Sequence, residues 1–117
     1  MKFGQQAEEK AALFLKEQGY KIVERNYRTR WAEIDIIALT HTNTLVFIEV
    51  KARNSTRYGT PAEAVSLSKQ KKIISAALHY IREKQVVDTR IRFDVMTLLF
   101  QNGKYQMEII PNAFYAV

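Results

Sequence analysis

Residues 33–52 constrain the fold more than any other part of the chain, because they carry two alternating apolar runs joined by a short polar turn. Glu33 to Thr40 and Leu45 to Ala52 flank His41-Thr42-Asn43-Thr44, and a period of two with β-branched residues predicts an antiparallel hairpin. Alternation puts Ile34, Ile36, Ala38, Val46, Ile48 and Val50 on one side of their strands as a core set. The opposite sides carry Glu33, Asp35, Ile37 and Leu39 in the first run and Leu45, Phe47, Glu49 and Lys51 in the second. Both are apolar near the turn and charged away from it, so an antiparallel pairing brings the charged ends together. Facing carboxylates repel, and Asp35 beside Glu49 would destabilise the hairpin unless a lysine or a cation lies between them.

The flanking segments extend this hairpin into a mixed sheet. Ala7, Ala11, Phe14 and Leu15 repeat at helical spacing and Gly19 supplies a stop, which predicts a helix from about Gly4 to Gln18. Tyr20 to Tyr27 reads as a strand, Arg53 to Pro61 as a loop, and Ser66 or Ser68 as the cap of a second helix with Ile73, Ile74, Ala77, Leu78 and Ile81 as its apolar stripe. Strands over Ile91 to Phe100 and Tyr105 to Ile110 enclose the turn Gln101-Asn102-Gly103-Lys104. The order α-β-β-β-α-β-β predicts an α/β (α+β) fold, one domain over residues 1–117 with a central mixed β-sheet flanked by helices.

Charge is distributed unevenly along this order. Acids and bases balance in residues 1–50 and again in residues 85–117, so the net charge of +6 arises between. There Lys51, Arg53, Arg57, Lys69, Lys71, Lys72, Arg82 and Lys84 oppose only Glu63 and Glu83. Cations following a cluster of carboxylates suit a polyanion held across a metal site, and equally a solvated helix face. The absence of cysteine excludes disulfides and thiolate ligands. The N-terminal residues are charged and helix-like with no long apolar stretch, which predicts neither a signal peptide nor a membrane span and a cytoplasmic protein.

The acids and the lysine have a chemistry in common. Glu49 and Lys51, two apart, project from one face of their strand, and Asp35 joins them from the neighbouring strand. Magnesium or manganese takes oxygen ligands, keeps several waters and needs only one or two carboxylates beside substrate phosphate oxygens. A neighbouring lysine positions the attacking water or stabilises developing negative charge. Ordinary strand-end ion pairs account for the same spacing. Glu8 lies between Ala11, Ala12 and Leu15 on the first helix, either at the edge of the apolar stripe or completing the metal site. Helical spacing alone favours the edge. Asp94 is read as an ion-pair partner of Arg92, and Trp31 and Tyr58 as packing residues or as stacking surfaces for unpaired bases.

Taken together, Arg25-Asn26-Tyr27-Arg28, Glu33-Ile34-Asp35-Ile36-Ile37, Val46-Phe47-Ile48-Glu49-Val50-Lys51-Ala52-Arg53, Tyr58-Gly59, Arg92-Phe93-Asp94-Val95 and Asn112-Ala113-Phe114 resemble the YraN-like family of bacterial proteins. That family is similar to archaeal Holliday-junction resolvases of the PD-(D/E)XK nuclease superfamily, with its restriction-endonuclease-like αβββαβ core. The resemblance implies that Asp35 and Glu49 are metal ligands, Lys51 the catalytic lysine and Glu8 an additional acid, with Glu33 of lesser rank. It also implies phosphate contacts from Lys69 or Gln70. The family usually has glycine where this chain has Ala7 and Ala32, so strain is expected at Ala32 if its position needs positive φ or close backbone approach to DNA. The function expected is Mg2+- or Mn2+-dependent hydrolysis of DNA at branched or non-duplex structures in repair or recombination. The alternative is a non-catalytic nucleic-acid-binding module using Arg53, Arg57, Lys69, Lys71 and Lys72, and a third reading is a small interaction protein whose acids form ion pairs. Symmetric cleavage of a four-way junction calls for a homodimer, whereas a monomer suits a nick, flap or end.

Overall fold

The computed structural model describes residues 3–53 and 65–115. Its elements are α1 (Phe3–Glu17), β1 (Lys21–Arg28), β2 (Glu33–Leu39), β3 (Leu45–Arg53), α2 (Leu67–Glu83), β4 (Ile91–Gln101) and β5 (Lys104–Phe114). Ala7, Ala11, Ala12 and Leu15 form the buried face of α1, as their helical spacing requires. Gly19 then ends the helix at φ +91°, with its N–H donating to the Lys16 carbonyl (3.1 Å) and the Tyr20 N–H to that of Leu15 (2.9 Å). This is a Schellman closure, and a side chain at Gly19 would cost about 1 kcal/mol in that conformation.

The strands form one sheet in the order β1-β2-β3-β4-β5. Neighbours are antiparallel except β3 and β4, which run parallel, because α2 intervenes and returns the chain to the same end of the sheet. The αβββαβ order expected from the resemblance is therefore present from α1 to β4. β5 is added at the edge through Asn102 and Gly103, both at positive φ, as a two-residue type I′ turn needs.

Both faces of the sheet are covered. Ile36, Ala38, Val46, Ile48, Met96 and Leu98 pack with α1, while Ile34, Ile37, Phe47, Phe93 and Val95 pack with Ile73, Ala76, Ala77 and Tyr80 of α2. Three details differ from strict periodicity. Ile34 lies with the α2 layer rather than beside Ile36 and Ala38. On α2, Leu78 is 46% exposed and the buried stripe instead includes Ala76 and Tyr80. The last strand reaches Phe114, whose ring stacks on Phe93 at 5.2 Å. No described helix is long and apolar enough to cross a membrane.

Candidate functional site

The break in alternation at Ile34 is the structural origin of the site. The pairing of β2 with β3 runs from Leu39 and Leu45 to Ile36 and Ile48 and goes no further. Beyond it, the Asp35 side chain substitutes for the backbone ladder: its Oδ2 accepts the Val50 N–H at 2.8 Å. A carboxylate directed across the gap between two strands is thus anchored by the strand it faces. Glu49, only 7% exposed, lies against it, and Lys69 from α2 donates to Glu49 Oε1 at 3.2 Å. Ser66 caps α2 by accepting the Lys69 N–H (3.1 Å), so the start of the helix is fixed where its lysine meets the strand.

The electrostatics follow from this crowding. Burial first, and then the Glu49 carboxylate, push the Asp35 carboxyl up to about 8, so without a cation Asp35 keeps its proton near neutrality. Burial and then the Lys69 ammonium hold Lys51 below the usual lysine range. Burial opposes the charge on Lys69 as well, but contact with Glu49 outweighs it and raises that amine.

A cleft of about 560 Å3 opens over these groups, with Glu8, Glu33, Asp35 and Glu49 on one side and Ser66, Ser68, Lys69 and Lys72 on the other. Glu8 is held at its rim by Asn26. With the amide oriented to donate, Asn26 Nδ2 reaches Glu8 Oε1 at 2.8 Å and Glu33 Oε1 at 2.9 Å. Burial, followed by the Glu33 charge, raises the Glu8 carboxyl above its ordinary value. Asn26 has φ +53°, a conformation asparagine tolerates better than most residues. An asparagine in a strand is the signal by which sequence reasoning would have found it.

Other expected contacts fall elsewhere. Arg53 ends β3 opposite Leu99. Gln70 Nε2 donates to the Val65 carbonyl (3.0 Å), and Gln70 and Lys71 line a separate groove with Leu67 and Ile74. Arg57, Tyr58 and Gly59 lie outside the described residues. Asp94 is fully buried and held by Arg92 Nε (2.9 Å), Arg92 Nη2 (2.8 Å) and the Asn112 N–H (3.1 Å), the ion pair expected from sequence. Ala32 is not among the positive-φ residues, so the strain anticipated there is absent, and the Ala7 methyl is buried in the α1 layer. A larger groove of about 800 Å3 between α1 and the β4–β5 hairpin is walled mainly by Leu13, Phe14, Phe100, Tyr105 and Met107 and lacks the Asp35–Glu49 pair.

Among the described residues no three acidic or histidine side chains meet as a ready-made metal cage. The donor set is the Asp35–Glu49 pair with Glu8 on the same cleft. Two adjacent carboxylates would suit an ion that keeps most of its waters and needs few protein ligands, as Mg2+ does.

Fold and site together define a small α+β domain whose central strands part around a carboxylate pair, Glu49 buried and Asp35 half-buried, faced by lysines. The chain belongs to the uncharacterised protein family UPF0102, whose family model matches residues 7–98. It is 52% identical to a UPF0102 protein of Desulforapulum autotrophicum over 97% of this chain and 93% of that one. A relative from Geobacter metallireducens is 44% identical over 95% of this chain and 90% of its own length. Among solved structures, a repair endonuclease from Pyrococcus abyssi aligns with TM-score 0.46 and 18% identity, over 81% of this chain and 38% of that protein.

Proposed function

We propose that this protein is a metal-dependent nuclease that hydrolyses phosphodiester bonds in DNA, acting at branched or other non-duplex structures. The observation that carries the reading is the Asp35–Glu49 pair. A fold that places two carboxyls in contact, one of them raised to about 8 although Lys69 already pairs with the other, keeps an arrangement that a proton or a bound metal ion would relieve further. Asp35 and Glu49 would hold Mg2+ or Mn2+, with Glu8 contributing through water from α1. When bound, such an ion polarises the scissile phosphate and makes a coordinated water acidic.

The remaining chemistry belongs to the chain. Lys51, whose proton affinity burial and the Lys69 ammonium lower, would position the attacking water or stabilise the negative charge that develops as the new P–O bond forms. Lys69 and Lys72, on the opposite wall, neutralise phosphates flanking the one that is cut. Ser66, Ser68 and the start of α2 add hydroxyl and backbone dipoles that favour an anion there. Water adds to phosphorus, the bridging ester oxygen leaves, and the products are a phosphate monoester and a hydroxyl.

One observation favours a second reading. The Lys69–Glu49 ion pair at 3.2 Å already compensates one carboxylate, as it would in a non-catalytic nucleic-acid-binding module. Cleavage of end-labelled branched, single-stranded and duplex DNA with magnesium or manganese separates the two. The nuclease reading expects metal-dependent cutting of the branched or single-stranded substrates, lost in Asp35→Ala and Lys51→Ala while binding persists. Equal binding by all three proteins with no cutting under either metal establishes the binding module instead.

A further inference from the structure

Trp31 occupies the wall of the same cleft, and neither the carboxylate pair nor the core explains its position. It sits in the turn between β1 and β2 and is 37% exposed, on a backbone that is tightly fastened. Thr29 Oγ1 accepts the Trp31 N–H (3.1 Å) and the Ala32 N–H (3.3 Å), and the Thr29 N–H donates to the Ala32 carbonyl (3.0 Å). The indole is steadied by His79 of α2, with ring centroids 5.8 Å apart and a tilt of 55°. The Arg30 guanidinium lies over the ring at 4.7 Å from its centroid. The indole is therefore already ordered, with the Arg30 guanidinium over one face, and what it leaves exposed lines the cleft that Lys69 and Lys72 also line.

We propose that Trp31 is a stacking platform for an unpaired nucleobase, so that the cleft takes a strand with at least one base out of the helical stack. This inference rests on the nucleic-acid reading of the cleft and specifies its substrate class. Two features of the cleft point to a nucleic acid base rather than to an apolar peptide side chain. The surroundings of the indole are cationic, with Arg30 against it and Lys69 and Lys72 across the cleft, which suits a planar group attached to phosphates. The fastened turn also lowers the ordering cost of a contact whose energy comes from one face of one ring. Within a duplex, each interior base already has both faces covered by its neighbours. Only a single strand, a flap, a junction or a frayed end offers a free face to a fixed indole.

Trp31 is the chain's single tryptophan, which makes the test direct. The intact protein, in EDTA so that nothing is cut, is titrated at low salt with a fluorescein-labelled oligothymidylate and with a labelled, fully paired duplex whose ends are closed by non-nucleotide ethylene-glycol linkers. Dye anisotropy reports binding, and indole emission reports stacking. The inference expects oligothymidylate to quench Trp31 emission as it binds, and the closed duplex to bind with little quenching. Trp31→Ala should weaken oligothymidylate binding by about 5- to 150-fold with an unchanged salt slope, because the phosphate contacts remain. Trp31→Phe, which keeps an aromatic face, should recover most of the loss. Oligothymidylate binding with unaltered indole emission, and with Trp31→Ala equal to wild type, overturns the stacking site while leaving the nucleic-acid reading standing. Absence of any anisotropy change with either DNA overturns both.

Discussion

Replacing Asp35 by asparagine is expected to stabilise the metal-free protein at alkaline pH and to change little in acid. The amide retains an oxygen to accept the Val50 N–H, now met at 2.8 Å by the carboxylate, and gains N–H donors for Glu49. It thus mimics the protonated acid. In the wild type, the folded state holds a proton that the unfolded state has released, because the carboxyl ionises at 3.8 ordinarily and at about 8 in the fold. Folding stability from this group is fully present below about pH 4 and is lost as pH rises through about 8. At face value that displacement corresponds to about 6 kcal/mol. Solvent at the half-buried carboxyl and the nearby Lys51 and Lys69 amines reduce it to roughly 2 kcal/mol. For a domain of this size, roughly 2 kcal/mol is roughly 8 °C in melting temperature. Thermal unfolding followed by far-UV circular dichroism in EDTA, at intervals from about pH 4 to about pH 9, measures the difference between the two proteins. Asp35→Asn should pull ahead progressively from about pH 4 to about pH 8 and hold its lead above that, and magnesium should narrow the gap by stabilising only the wild type. A difference independent of pH, or a variant that loses ground as pH rises, would refute the buried-pair reasoning.

Other perturbations separate the site from its scaffold. Lys69→Ala leaves Glu49, 7% exposed, without its ammonium partner, and should cost about 1–3 kcal/mol in urea unfolding without metal, partly restored by magnesium. Asp94→Ala strips Arg92 and the Asn112 N–H of their acceptor, and should cost about 3–5 kcal/mol with no effect on the response to magnesium. Asn26→Ala combines a methyl-bearing residue at φ +53° with loss of the bridge between Glu8 and Glu33, and should lower stability by about 1–2 kcal/mol. Asn26→Gly relieves the backbone but not the bridge, and should fall between that variant and wild type in the same urea titration.

The fold was legible where hydrophobic periodicity and turn chemistry agreed. The seven elements, the β2–β3 hairpin and the Asn102-Gly103 turn follow from alternation, helical spacing and residues suited to positive φ. Alternation failed at Ile34 because Asp35 leaves the pleat to take a backbone N–H across the strands, and a period of two contains no information about such a departure. The convergence of Asp35 with Glu49 was readable from antiparallel geometry. The role of Lys69 as the ion-pair partner of Glu49 depends on how α2 docks and so on contacts twenty residues apart, which local pattern does not encode. Asn26 was visible as part of a motif, but its bridging of Glu8 and Glu33 required the relative placement of α1, β1 and β2.

Calorimetric titration with Mn2+ most directly tests whether the carboxylate pair is a cation site. With wild type at about neutral pH, saturable binding of a single ion with release of about one proton is expected, since the ion displaces the proton that Asp35 holds. Asp35→Asn should bind far more weakly and release none. A wild-type titration indistinguishable from that of Asp35→Asn would contradict a metal centre at Asp35 and Glu49.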